Sequence, residues 1–313
     1  MNSLFKCIAI IIVINLWVCS DLCAFETCQT SEGIDIKWDT FNAIYYVNTQ
    51  GGPAGSLSAI KSAMQTWTDV DISSFAFIYG GSTSSTAYGI NDGINIVTFG
   101  SMGANGTLAV NACWYSVSSG YILDSDIKFN TSYTWAVNGS VNAYDVQNVG
   151  THEHGHSLCL DDLYDTADSE KTMYGYVSRG EISKRTLDPD DIEGISYLYP
   201  LVECNLVPDA TEIPRGGTLG IQMSATNNTV QSQTFLFATF VTTPGGNRYP
   251  ASGWLFGPIS VTLSSNASRS GHKSYNIPIG APLGTYIYHG YVGNYGVGIY
   301  DECTFNFTVT SSP

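Results

Sequence analysis

Three of the five histidines in this 313-residue chain lie in THEHGHSLCLDD, residues 151–162. His152 and His156 are four residues apart, so on an α-helix they lie on one face, one turn apart. Two neutral imidazoles placed in this way can bind one metal ion. Glu153 projects beside the metal but outside the ligand line, which suits a base acting on water. His154 points to another face, and we do not expect it to be a ligand.

A catalytic zinc site needs a third protein ligand and an open coordination position. Asp161 and Asp162 follow His152 by nine and ten residues. Either carboxylate can reach the metal if the helix ends near Cys159 and the chain turns back. The spacing alone leaves the choice between them open.

Three helices are predicted around these residues. The first covers residues 56–70, where Leu57, Ile60, Met64 and Trp67 have the 3-4-3 spacing of one apolar face. The second covers residues 142–158 and carries the histidines. The third begins at Asp188-Pro189, with aspartate as N-cap and proline in the first helical position.

Strands alternate with these helices. Two short strands are predicted within residues 34–50, and longer ones at 75–80, 94–100, 107–116 and 122–130. This alternation predicts an α/β (α+β) domain that ends near Pro200.

After Leu201 the helical periodicity disappears. The runs LGIQMSA, TFLFATFV, ISVTLSS, TYIYHGYV and CTFNFTV recur between turn residues. That pattern predicts an all-β sandwich, about as long as one immunoglobulin-like domain.

The first residues resemble a secretory signal peptide. Lys6 precedes an apolar run and then small residues, which places cleavage after Ala24. We therefore expect a secreted, extracellular monomer with no membrane insertion after cleavage. The net charge of −15 disfavours nucleic acid as a partner.

Three of the eight cysteines lie in the predicted signal peptide. Export makes disulfides plausible for the other five. Cys204 and Cys303 bracket the C-terminal region and are expected to bridge it. Cys28, Cys113 and Cys159 compete for a second bridge, and the sequence does not choose among them.

The stretch HEHGHSLCLDD resembles the extended metzincin motif H-E-x-x-H-x-x-G-x-x-H/D. Downstream, SEKTMYGYVSRGEISKRTLDPDDIEGISYLYP resembles the Met-turn and final helix of matrixins. Upstream, TLAVNACWYS and LDSDIKFNTSYTW resemble the strands beside the matrixin cleft. The resemblance covers about residues 33–200 and is greatest to bacterial matrixin-like proteases.

The resemblance implies a mixed twisted sheet with three helices, and specific roles for residues. His152, His156 and Asp162 match the zinc ligands, and Glu153 matches the general base. Met173 matches the Met-turn methionine. Tyr174 to Tyr176 match the wall of the S1′ substrate pocket, and the strand near residues 107–113 matches the substrate-binding edge.

Two departures from the matrixin pattern are notable. Asp162 stands where vertebrate matrixins have histidine, and Cys159 replaces the glycine that permits a sharp turn. We expect from the cysteine a less strained turn, or a bridge that holds it. Cys28 could cap the zinc as propeptide cysteines do, but a disulfide to Cys113 or Cys159 is favoured.

One catalytic zinc is predicted, because the other histidines, His272 and His289, lie in the C-terminal region. Calcium is a further possibility around Asp92, Asp124 and Asp126.

The expected organisation is a signal peptide (1–24), a short segment (25–32), a matrixin-like domain (33–200) and an immunoglobulin-like domain (201–313). The expected function is a zinc-dependent endopeptidase acting on internal bonds of extended polypeptides. The alternative is a secreted binding or adhesion protein with an inactive metzincin domain.

Overall fold

A computed structural model describes residues 25–294 and 298–311. The predicted signal peptide lies outside these residues. Among the residues described, no helix is both long and apolar enough to cross a membrane. The chain divides into two compact units: one extends to Val70 and includes Phe75–Leu198, and the other comprises Asp71–Ser74 and the chain from Tyr199.

The first unit is built on a mixed five-stranded sheet in the order β2-β1-β3-β5-β4. Its strands are β1 (Asn42–Val47), β2 (Ala76–Ser82), β3 (Asn95–Gly100), β4 (Ala109–Tyr115) and β5 (Ile122–Asn130). The pairs β1–β2, β1–β3 and β3–β5 are parallel, whereas β4 is antiparallel to β5 and forms one edge. Two-residue strands β6 (Trp135–Ala136) and β7 (Tyr144–Asp145) pair separately.

The three predicted helices are confirmed. They are α1 (Ser56–Thr68), α2 (Val146–Ser157) and α3 (Pro189–Leu198), with short 3-10 turns at Thr166–Asp168 and Ser183–Arg185. The apolar face of α1 buries Ile60, Met64 and Trp67, as its spacing predicts, while Leu57 is only half-buried.

Helix α2 begins at Val146, so the predicted start at residue 142 was wrong. Asp145 has an extended backbone and accepts the N–H of Asn148 at 3.0 Å, which makes it the N-cap. An N-cap aspartate satisfies a backbone donor that the first helical turn leaves unpaired. Arg185 binds both oxygens of this buried carboxylate, at 2.9 Å and 2.5 Å.

The second unit consists of strands only. They are β8 (Val202–Pro208), β9 (Glu212–Pro214), β10 (Thr218–Asn227), β11 (Gln233–Thr242), β12 (Arg248–Tyr249), β13 (Phe256–Leu263), β14 (Ser268–Asn276), β15 (Gly284–Asn294) and β16 (Gly298–Thr310). They form a three-stranded sheet, β14-β10-β8, and a six-stranded sheet, β12-β11-β15-β16-β9, in which β13 also pairs with β11.

A disulfide joins the two sheets of the second unit. Cys204 on β8 is bonded to Cys303 on β16, as predicted. Side chains from both sheets share one buried core, which includes Ile221, Phe235 and Tyr288. The hydroxyl of Tyr286, near the start of β15, donates to the carbonyl of Pro282 at 2.8 Å.

Two buried carboxylates on β5 hold the loop that precedes β3. Asp124 accepts the N–H of Gly93 at 2.7 Å, and Asp126 accepts those of Gly89 at 2.8 Å and Ile96 at 3.0 Å. Burial raises the pKa of Asp124 to about 6 and that of Asp126 to about 7. These side chains therefore act as anchors for the loop.

Calcium around Asp92, Asp124 and Asp126 stays a prediction. The carboxylate of Asp92 accepts the N–H of Ile94 at 2.9 Å, within its own loop. Across the residues described, no group of three metal-ligating side chains includes any of these aspartates.

The raised pKa values predict that stability falls as pH rises from about 4 to about 7. In this window the folded chain holds protons on Asp124 and Asp126 that the unfolded chain, with an aspartate pKa of about 3.9, has released. Asp126→Asn should therefore flatten the fall in Tm between pH 5 and pH 7.5, measured by calorimetry in a chelator. The exposed Asp39→Asn is the control; an unchanged slope in Asp126→Asn would contradict the assignment.

Candidate active site

Helix α2 carries His152, Glu153 and His156 and is held tightly against α1. The indole N–H of Trp67 donates to the carbonyl of Thr151 at 2.8 Å. Glycine at positions 150 and 155 allows the close approach, because a Cβ at 150 would lie 3.3 Å from that of Ala63 and one at 155 would clash with Met173.

Three side chains converge beside this helix. The Nε2 atoms of His152 and His156 are 3.2 Å apart. Oδ1 of Asp162 lies 3.2 Å from the first and 3.5 Å from the second. In the described part of the chain these residues form the one group of three whose ligand atoms cluster for a metal ion.

Backbone carbonyls set the tautomers of both histidines. Nδ1 of His152 lies 2.8 Å from the carbonyl oxygen of Thr172, and Nδ1 of His156 lies 2.8 Å from that of Leu160. A carbonyl oxygen only accepts, so each Nδ1 carries the proton and donates it. The two Nε2 atoms then face each other and Asp162, an arrangement that a cation bound between them would stabilise.

The donor set fits zinc. Zinc–ligand bonds of about 2.0–2.1 Å at tetrahedral angles put two ligand atoms about 3.3 Å apart, close to the three separations observed. Burial lowers the pKa of His156, but the adjacent Asp162 carboxylate outweighs it and raises that pKa to about 9. The two histidines hold the pKa of Asp162 well below its usual value, although burial opposes them.

The turn after α2 brings Asp162 back to the histidines. Cys159 adopts φ +66°, the left-handed conformation that favours glycine. The expectation of a less strained turn was therefore wrong: the cysteine keeps the backbone shape of the glycine it replaces. The N–H of Leu160 reaches back to the carbonyl of Gly155 at 3.1 Å and closes the helix end.

Glu153 is buried beside the cluster, with 5% of its surface exposed. Its Oε2 has no hydrogen-bond partner among the residues described. Burial raises the pKa of Glu153, against the opposing charges of His156 and His152. A buried, unpartnered carboxylate is available to accept a proton from water.

His154 is separate from this cluster, as its place on the helix predicts. It is fully buried, its Nδ1 lies 2.7 Å from the carbonyl oxygen of Gly150, and it packs against Tyr45 and Phe77. Burial lowers its pKa to about 4, so it is a neutral core residue.

The matrixin family model matches residues 37–200, more than half of the chain. The chain belongs to the matrixin family. Matrixins are zinc-dependent metalloproteases, in agreement with the donor set described above.

Two curated relatives are similar to part of this chain. Neutrophil collagenase of Homo sapiens is 30% identical over 183 residues, covering 57% of this chain and 37% of its own. Stromelysin-1 of Mus musculus is 29% identical over 159 residues, covering 50% of this chain and 30% of its own. The chain thus spans about a third of the length of each relative.

Among solved structures, the CARDB domain of the PF1109 protein from Pyrococcus furiosus matches with a TM-score of 0.28 and 11% identity. The match covers 36% of this chain and 91% of that one.

Met173 packs against helix α2 of the matrixin domain. It is buried, with 3% of its surface exposed, and faces Gly155. The carboxylate of Asp191 accepts the N–H groups of Thr172, at 3.0 Å, and Met173, at 3.3 Å. This buried aspartate on α3, to which the sequence analysis gave no role, therefore fixes the segment that also orients His152.

The segment Tyr174–Tyr176 is held from behind by a buried lysine. Lys184, 2% exposed, donates through Nζ to the carbonyl oxygens of Tyr174 and Tyr176, the second at 2.9 Å. Burial lowers the pKa of this amine. The burial of this lysine was not predictable from the sequence, because a charged residue in a short turn is typical of an exposed position.

Asp162 has a further partner in Tyr164, which the sequence analysis also missed. The Tyr164 hydroxyl donates to Oδ2 of Asp162 at 2.9 Å, leaving Oδ1 toward the histidines. The ring packs edge-to-face on Tyr176, with centroids 5.6 Å apart. Gly175 permits this contact, since a Cβ there would clash with the Tyr164 ring.

Removal of the Tyr164 hydroxyl should weaken zinc binding. Groups that orient a metal ligand typically contribute about 10- to 100-fold in metal affinity, so Tyr164→Phe should raise the zinc Kd by that factor in a competition titration with a chromogenic chelator. Tyr176→Phe, which removes the neighbouring hydroxyl, is the matched control. Equal Kd values for Tyr164→Phe and the wild type would show that this hydrogen bond does not support the ligand.

Proposed function

We propose that this chain is a secreted zinc-dependent endopeptidase of the bacterial matrixin type. One zinc ion would be held by His152, His156 and Asp162. The observation that carries the proposal is the convergence of these side chains beside the buried carboxylate of Glu153.

The chemistry divides between the ion and the chain. Zinc, when bound, supplies Lewis-acid polarisation of water and of the scissile carbonyl. Glu153 takes the proton from the attacking water and then delivers it to the nitrogen of the leaving amine. Its carboxylate is buried on the helix that carries both histidines, within reach of both proton transfers. Tyr164 holds Asp162 in its ligand orientation throughout.

The substrate is an extended polypeptide that pairs with β4. This strand is at the edge of the sheet and pairs with β5 on one side. Asn111 ties β4 to α2, since its amide donates to Oγ of Ser157 at 2.8 Å. Residues 107–113 thus lie beside the helix that carries the site, where an added strand presents its backbone to the site. Tyr174 and Tyr176 form the wall of the S1′ pocket.

The second unit is proposed to be an immunoglobulin-like domain, residues 201–313, that binds a substrate or a surface. Support comes from its two sheets over one core, the disulfide between them, and the Tyr286 hydroxyl bonded to the backbone upstream.

The remaining proposals are a signal peptide of residues 1–24 cleaved after Ala24, a segment of residues 25–32, a catalytic domain of residues 33–200 and a monomeric state.

A binding or adhesion protein with an inactive metzincin domain is not favoured. Burying a carboxylate without a partner costs free energy. An inactive site gains nothing from keeping Glu153 in this position, and an apolar or amide side chain there would be more stable.

Catalysis by Glu153 is tested by casein cleavage with the purified protein. Glu153→Gln keeps the shape of the side chain but cannot take a proton, and general-base catalysis contributes about 10²- to 10⁴-fold. We expect at least that loss of rate in the variant and complete loss in a zinc chelator, with full zinc content retained by the variant. A zinc-loaded wild type that does not cleave casein or a peptide library would contradict the proposal.

Strand addition to β4 is tested with an extended peptide inhibitor carrying single N-methyl groups at successive positions. Each methyl group removes one backbone donor, and a hydrogen bond contributes about 0.5–1.5 kcal/mol. Methylation at alternate positions, where N–H groups face β4, should weaken inhibition by about 2- to 10-fold. Methylation at the intervening positions is the control, and equal effects at all positions would exclude strand pairing.

A further inference from the structure

Three cysteines meet behind the turn that carries Asp162. Cys28, Cys113 and Cys159 are all present as thiols in the structure. The Cys159 side chain is fully buried and within hydrogen-bonding reach of the other two. The cluster is separate from the ligand set, and the thiol of Cys28 donates to Oδ1 of Asp161 at 3.2 Å. Cys28 therefore does not cap the proposed zinc site in this structure.

The backbone places Cys28 beside Cys159. Thr27 and Leu160 form an isolated antiparallel bridge, and Cys28 and Cys159 are the residues that flank this bridge on one side. The N–H of Cys28 donates to the carbonyl of Cys159 at 2.8 Å. The two thiols are also in hydrogen-bonding contact, and a disulfide between them requires Cα atoms about 4.4–6.8 Å apart.

We propose that Cys28 and Cys159 form a disulfide in the exported protein, and that Cys113 stays a thiol. Solvent access decides between the partners of Cys159. Cys28 is half-buried, whereas Cys113 and Cys159 are buried, with 3% and 0% of their surfaces exposed. An external oxidant therefore meets Cys28 first.

The oxidant is a disulfide, either oxidised glutathione or an oxidised dithiol protein. The Cys28 thiolate attacks one sulfur of this disulfide, and one half of the oxidant leaves as a thiolate. The Cys159 thiolate then attacks Sγ of Cys28, forms the new bond and expels the other half. Two protein thiols are oxidised, one external disulfide is reduced to two thiols, and the protons go to the departing thiolates.

The bond would hold the one strained backbone position of the site. It ties residues 25–30 to the left-handed turn at Cys159, three residues before Asp162. The family motif has a glycine at this position, which adopts the turn without strain. In this chain the disulfide would hold the same turn covalently. The existence of the bond does not depend on the proposed protease activity; only its effect on zinc binding rests on that function.

Peptide mapping tests the pairing directly. Tryptic cleavage after Lys37, Lys61, Lys128 and Lys171 puts Cys28, Cys113 and Cys159 in three different peptides. After native incubation with oxidised glutathione and alkylation in denaturant, we expect the peptide ending at Lys37 to be linked to peptide 129–171, and Cys113 to be alkylated. A link between peptides 62–128 and 129–171, or alkylation of all three cysteines, would overturn the proposal.

Matched serine variants test the role of the bond independently of catalysis. Cys28→Ser should lower Tm by about 5 °C or more, because a disulfide closing a long loop stabilises by a few kcal/mol. The Tm of this variant should also respond less to dithiothreitol than that of the wild type, leaving only the effect of the Cys204–Cys303 bond. Cys113→Ser should keep the disulfide between Cys28 and Cys159 and the full response of Tm to dithiothreitol. A Cys113→Ser variant that loses the link would instead assign the bond to Cys113.

Discussion

The site depends on how the chain leaves helix α2. His156 lies in the last turn of the helix, and Asp162 must return to within 3.5 Å of it only six residues later. This reversal requires a residue with positive φ immediately after the helix, and Cys159 takes it at +66°. A non-glycine residue in this conformation is disfavoured by contacts of its Cβ, so the surrounding structure must hold the turn.

Several independent contacts do so. The N–H of Leu163 donates to the carbonyl of Met173, and the N–H of Gly175 donates to the carbonyl of Leu163. These two bonds hold the loop of Asp162 along the segment that contains Met173. On the other side, the N–H of Cys28 donates to the carbonyl of Cys159, and the N–H of Asp161 donates to the carbonyl of Glu26. The loop that carries Asp162 is thus held between two backbone segments, and the carbonyls of Thr172 and Leu160 orient the two imidazoles.

Buried charged groups fix the remaining geometry, and each one is matched by the polar groups around it. Asp145 caps α2 and is paired with Arg185. Asp191 accepts the backbone N–H groups of Thr172 and Met173, and Lys184 donates to the carbonyls of Tyr174 and Tyr176. Removing one partner of such a pair leaves a buried charge uncompensated, which is strongly destabilising. The site is therefore held by polar contacts to the backbone as much as by apolar packing.

The sequence predicted the elements that are specified by residues close together in the chain. The spacing of Ile60, Met64 and Trp67 defines α1, and Asp188-Pro189 defines the start of α3. The start of α2 was misplaced by four residues. The N-cap Asp145 follows residues that are themselves compatible with a helix, so the sequence does not single it out as the start. Tyr164, Lys184 and Asp191 were given no roles, since their partners are backbone or side-chain groups brought together only by the fold. Asp161 and Asp162 could not be separated by spacing, and the matrixin resemblance made the choice.

The most direct test of the account is a crystal structure of the zinc-loaded protein with anomalous diffraction data at the zinc edge. The proposed site predicts one anomalous peak in the first unit, about 2.0–2.2 Å from Nε2 of His152, Nε2 of His156 and an oxygen of Asp162, and its loss in Asp162→Ala crystals. A zinc peak bound by other residues, or no peak at these three in zinc-saturated crystals, would contradict it.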